Sequence, residues 1–214
     1  VATVAFTGSR SLPTSALKTV SGVVGDLVAS GNSLSVGCAV GADAAVVSSA
    51  LALGGAGRLS IFAVGGSCGS GFAGPHSAVE GVRAAETAGA SMQWWAGGAA
   101  TVRLRSRLVG RSLACMGSAS SVVGFVSAFP SRPWSGDGPW FSCGSGSWSS
   151  LASVAVRGGS IVVFPFGEAA STPLPALPVA GVWVRAGEGV WLQGWRFEPD
   201  LPFAASQTPS LNTV

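Results

Sequence analysis

The chain opens with VATVAFTGSR, residues 1–10. Six mostly apolar residues run straight into Thr7-Gly8-Ser9-Arg10, and Pro13 follows. A short continuous apolar run reads as a strand covered on both faces, because a half-exposed strand would alternate. The strand ends in a glycine, a small hydroxyl and the first basic side chain of the sequence. That is the composition of an anion-binding turn, since glycine lets backbone approach a ligand closely and free N–H groups at a helix start attract phosphate. Residues 12–30 then show helical spacing, with Val20, Val23, Val24, Leu27 and Val28 on one face.

The same unit recurs along the chain. Residues 33–37 read as a second strand and 44–53 as a second helix, with Asp43 placed to cap it. Residues 58–64 predict a third strand, 77–88 and 100–116 two helices, and 120–126 a further strand. A helix over 147–159 ends in glycines, and the strand 160–166 follows it. Alternating strands and helices with continuous apolar strands predict a parallel sheet covered on both sides. The expected fold is a Rossmann-like three-layer α/β sandwich over residues 1–167. A proline-rich connector (168–180), a Trp-rich β-hairpin appendage (181–198) and a polar tail (199–214) complete the expected organisation. A lone hairpin is marginal in water, so it is expected to extend a sheet edge or touch a second subunit.

Composition narrows the function classes. The 214 residues are 48% hydrophobic and only 10% charged, with 32 glycines, no tyrosine and a net charge of +3. About a quarter of an ordinary soluble domain is charged, so this surface is rich in Ser, Gly and Ala, and a homo-oligomer is expected. The apolar runs are too short and too interrupted to span a membrane, and no basic-then-apolar leader opens the chain. A cytoplasmic protein is the expectation, with an N-terminus that has been trimmed or processed. Cys38, Cys68, Cys115 and Cys143 form no C-x-x-C pair, and His76 is the single histidine. Zinc-ligand spacing is therefore absent. Cysteines isolated in apolar strings read as core residues, and His76, beside Pro75, reads as a loop residue with no nucleophile elbow before it.

Three turns after or before apolar runs share anion-binding composition: Thr7–Arg10, residues 37–43 (GCAVGAD) and residues 144–148 (GSGSW). In a parallel α/β sheet such turns converge beyond the carboxyl ends of the strands, where ligands bind. None is a Walker A loop or a dinucleotide G-x-G-x-x-G. A fourth feature is the run Arg103, Arg105, Arg107 and Arg111, which concentrates positive charge on one predicted helix. Arginine is the side chain suited to bidentate phosphate contact.

In order, TGSR, GCAVGAD, RLRSRLVGRS, VVGF and GSGSWSSLASVAVRGGSIVVFPFG resemble the DprA/Smf family of DNA-processing proteins. They are also similar to the wider SLOG superfamily of Rossmann-like nucleotide and nucleic-acid binders. The resemblance covers residues 4–167. It implies a ligand pocket carried by Gly8, Ser9 and Arg10, by Gly41 and Asp43, by Arg105 and Arg107, and by Ser145, Gly146 and Ser147. Ser106 stands where that family has Asn, and the segment after residue 180 reads as a hairpin in place of the family's winged helix. The glutamate that serves the superfamily's phosphoribohydrolases is missing after residues 144–151, which removes the best enzyme reading.

The resulting expectation is non-catalytic binding of a phosphate-bearing ligand, a nucleotide or nucleotide derivative, with no cofactor fixed by the sequence. Single-stranded DNA binding is the alternative that DprA suggests, with Trp94, Trp95, Trp134, Trp140 and Trp148 as candidate stacking side chains. A self-assembling structural protein that has repurposed the fold is the third reading.

Overall fold

The computed structural model describes residues 2–72, 78–136, 140–171 and 173–200. His76 and the polar tail from residue 201 lie outside the described residues. The first unit is strand β1 (Thr3–Gly8) followed by helix α1 (Ala16–Ala29). Then come β2 (Ser33–Val36), α2 (Ala42–Ala52), β3 (Leu59–Phe62), α3 (Val79–Thr87) and β4 (Ser91–Gln93). The second half contains α4 (Leu104–Gly117), β5 (Ser121–Val126), α5 (Gly146–Ala155) and β6 (Ser160–Pro165). Strands β7 (Gly181–Arg185) and β8 (Trp195–Pro199) close it.

One eight-stranded sheet runs in the order β4-β3-β2-β1-β5-β6-β8-β7. Its first six strands are parallel, and β8 is antiparallel to both β6 and β7. Both faces are covered, which is why the strands are apolar at consecutive positions. Val4 and Phe6 pack with Val20, Val23 and Val24 of α1 and Val46 and Val47 of α2. Ala5, between them, packs on the opposite face with Cys115 and Met116 of α4 and Trp148 and Leu151 of α5. The architecture is the expected three-layer, mainly parallel α/β sandwich.

Two local readings need correction. Asp43 does not sit at the N-cap of α2; Gly41 does, and Asp43 is the helix's second residue, its Oδ2 accepting the Ala39 N–H at 3.1 Å. In the hairpin, Val190-Trp191-Leu192 belongs to a 3-10 turn (Gly189–Gln193), and the return strand begins only at Trp195. The turn is drawn over α1: Trp191 donates to Asp26 at 3.1 Å, and the Thr19 hydroxyl donates to Gln193 at 2.8 Å. Strand β4 had no distinct sequence signal, being three residues long with both ends exposed.

Candidate functional site

The strand order reverses direction between β1 and β5, and the connections leaving these two strands part there. Such a switch point opens a crevice at the carboxyl ends of the strands. A cleft of about 520 Å³ lies at that place. It is lined by the end of β1 (Thr7–Ser11), the start of α2, one face of α4, the connection after β5, and the N-terminus of α5.

Backbone packing explains the glycines of the first two turns. A side chain at Gly8 would run into the Phe125 carbonyl and the Ala42 methyl, so β1 can seat against β5 and α2 only with glycine there. Ser9 then locks the corner: its N–H donates to the Phe125 carbonyl at 2.8 Å, its carbonyl accepts from Ala42 N–H at 3.0 Å, and its hydroxyl accepts from Ser127 N–H at 2.8 Å. Gly41 has φ +81°, and a side chain there would meet the carbonyls of Ser9 and Arg10. Gly41 thus shapes the cleft without lining it. At the opposite wall Ser145 caps α5, its hydroxyl accepting the Trp148 N–H at 3.4 Å. The N-terminal turn of this ten-residue helix, with Gly146 and Ser147, faces the cleft, where its unpaired N–H groups and dipole favour an anion.

Among the described residues, Arg10, Arg105, Arg111 and Arg132 bring four guanidinium groups to the cleft, against one carboxylate, Asp43. Asp43 is buried and pairs with Arg111, Nη1 to Oδ2, at 3.3 Å. Burial lifts the Asp43 carboxyl above its ordinary value, and the Arg111 charge offsets this only in part. Burial is the largest influence on Arg111 and works against its charged form, but Asp43 and the smaller contributions of Cys38 and Cys115 together outweigh it and hold the guanidinium protonated. Burial pushes the Cys38 thiol up and the Cys115 thiol up to about 12, so both stay neutral beside the pair. Arg111 Nε is buried without a hydrogen-bond partner. Gly37 lies so close to the pair that a methyl there would overlap both side chains.

Of the residues singled out in the sequence, Gly8, Ser9, Arg10, Asp43, Arg105, Ser145, Gly146 and Ser147 line the cleft. Arg107 does not. Its guanidinium is buried 5.4 Å from the Trp95 ring and donates to the carbonyls of Val102, Val64 and Gly71 at 3.0, 3.1 and 3.1 Å. It fastens the connection after β3 and helps hold Trp95 at φ +54°, a left-handed conformation that bulky residues rarely adopt. Most of the tryptophans are likewise structural. Trp148 is fully buried and donates to the Ala128 carbonyl at 3.0 Å, and Trp134 donates to Ala176 at 3.0 Å. Only Trp140, of the five candidate stacking side chains, lines the cleft.

Among the charged and aromatic lining residues, Arg132 is the one that sequence reasoning passed over; Arg111 was read only as part of the arginine run, and Trp140 only as a stacking side chain. For Arg111 a signal existed: with Arg105, Leu108 and Ser112 it falls on one helical stripe of α4. Arg132 and Trp140 sit in the irregular connection between β5 and α5, where no periodicity exists to read. A single antiparallel bridge, Ser135 to Ser142, folds that connection back on itself.

No family model matches the chain, and no curated protein does. Among solved structures, DNA processing protein A (DprA) from Streptococcus pneumoniae superposes with a TM-score of 0.56 at 19% identity, over 78% of this chain. The chain has the DprA fold. DprA from Helicobacter pylori, whose single-stranded DNA binding mode has been described structurally, matches with the same TM-score at 14% identity, again over 78% of this chain. The chain spans 51% of the S. pneumoniae protein and 66% of the H. pylori protein. Among the described residues no helix is long and apolar enough to cross a membrane, and no group of three or more His, Cys, Asp or Glu could hold a metal ion.

Proposed function

We propose that the cleft binds the phosphate backbone of a single-stranded nucleic acid, as the H. pylori protein of the same fold binds single-stranded DNA. The observation that carries this reading is the convergence of Arg10, Arg105, Arg111 and Arg132 on one cleft, where the one carboxylate among the described lining residues is already paired. In a chain with twelve basic residues in all, that is a third of the positive charge at one place. Arg10, Arg105 and Arg132 are exposed and free to meet a strand, while Arg111 forms the floor. Trp140 at the wall supplies a face on which one base can stack. The four free cysteines suit a reducing, cytoplasmic setting.

The test is fluorescence anisotropy of a labelled oligo-dT titrated with protein at several salt concentrations. Three phosphates neutralised by the exposed arginines give a slope of log affinity on log salt of about −2 for a single strand. Arg10→Ala and Arg105→Ala each weaken binding about tenfold or more. Salt-independent binding, or binding unchanged in both variants, refutes the reading.

A second reading keeps the same phosphate chemistry in a smaller ligand, a nucleotide or nucleotide derivative. The cleft volume of about 520 Å³ favours it, because sites for small molecules run from about 300 to 1,000 Å³. Native mass spectrometry separates the two: a nucleotide-sized mass retained under gentle conditions and lost in Arg10→Ala supports the small ligand.

A further inference from the structure

Strand β7 is the last strand of the sheet, and among the described residues nothing pairs with its outer side. The hydrogen-bond parity of that side follows from its inner side. The flanking bonds run from Ala186 N–H to the Gly194 carbonyl and from Asp200 N–H to the Ala180 carbonyl. With the register Val182 to Glu198 and Val184 to Arg196, the even-numbered residues of β7 spend their N–H and C=O groups on β8. Alternation along an antiparallel ladder therefore turns the N–H and C=O of Gly181, Trp183 and Arg185 outward.

This outward row is self-complementary. A two-fold axis at Trp183 sets Trp183 against Trp183 of a second copy, and Gly181 and Arg185 against Arg185 and Gly181. All three outward residues then fall in hydrogen-bonded pairs, three pairs of two bonds each, with no group left over. The intervening pairs are Val182 against Val184, the closely spaced kind in which side chains touch. Val182 is 56% exposed as the edge stands, and this pairing covers it. Charge also fits: each Arg185 lies opposite Gly181, where a side chain would clash with Phe197, so like charges never face each other. Within Gly181–Arg185 there is no lysine, proline or bulge, and the one charged side chain, Arg185, lies at the strand's end against the Trp195 ring, 4.1 Å away.

The geometry points to β7 as an isologous docking edge whose partner is a second copy of this chain, joining two eight-stranded sheets antiparallel across Trp183. The pairing does not depend on what the cleft binds. The edge is short, so the dimer forms and dissociates with concentration rather than being permanent.

The experiment is sedimentation equilibrium over a wide protein concentration range, with amide hydrogen exchange measured by NMR at both ends of it. The full chain is expected to move from 21.1 kDa toward twice that mass. The amides of Gly181, Trp183 and Arg185 become protected only at high concentration, whereas those of Val182 and Val184 are protected throughout. Val182→Lys removes both symmetric valine pairs and weakens the dimer about tenfold, while Leu53→Lys, at the exposed C-terminal end of α2 and outside β7, leaves it unchanged. A monomer at every concentration overturns the proposal. So does a dimer indifferent to Val182→Lys, which assigns the contact to another face. Outward amides protected in the monomer also overturn it, assigning the edge to residues 201–214 of the same chain.

Discussion

Asp43→Asn removes one charge from a pair whose side chains are 12% (Arg111) and 9% (Asp43) exposed. The amide oxygen still accepts the Ala39 N–H, so the local backbone is kept and the loss is electrostatic. What remains is a buried guanidinium whose Nε already lacks a partner. Removing one member of a buried pair costs about 3–5 kcal/mol, mostly because the surviving charge is left uncompensated. The contact here is a single 3.3 Å approach rather than a two-pronged fork, and burial already opposes the ionised carboxyl. The low end, about 3 kcal/mol, is therefore expected. For a chain of this size that lowers Tm by about 6–12 °C. Arg111→Met in the same background removes the stranded charge and keeps much of the side-chain volume, so the double variant recovers most of the loss. The assay is a double-mutant cycle by thermal and urea unfolding. The reasoning fails if Asp43→Asn lies within about 0.5 kcal/mol of the parent, or if the double variant is as unstable as the two single losses added together.

Further expectations concern the same residues and their neighbours. Gly41→Ala forces a methyl into φ +81° against two carbonyls; a loss of about 1–3 kcal/mol is expected on denaturant unfolding, and none would mean that the corner relaxes freely. Arg107→Ala and Arg105→Ala should divide cleanly. The first lowers Tm by breaking the contacts to Val102, Val64 and Gly71, and the second weakens oligonucleotide affinity with Tm nearly unchanged. Oligonucleotide titration and melting of both variants check this, and the opposite pattern refutes the placement of the two side chains.

The sequence by itself determined the layer architecture. Apolar residues at consecutive positions in Val4–Phe6 and Val122–Val126, alternating with helical stripes such as Val20, Val23 and Val24, admit only a parallel sheet covered twice. The turn glycines were legible too, since Gly8 and Gly41 stand where backbone must approach backbone. Which arginine meets the cleft was not. Arg105, Arg107 and Arg111 share one helix and one chemistry, and a helical projection alone assigns none of them a neighbour. The choice was made by partners remote in sequence: the carbonyls of Val64 and Gly71 draw Arg107 under the β3 connection, while Asp43 draws Arg111 to the cleft floor. The hairpin followed the same division. Its existence was local, written in two aromatic runs, but its place beside β6 and the outermost position of β7 among the described strands came from the sheet. Short-range patterns fix which elements form, because they reflect covalent spacing. Long-range contacts fix where each polar side chain ends, because a buried donor goes to whatever acceptor the fold brings within reach.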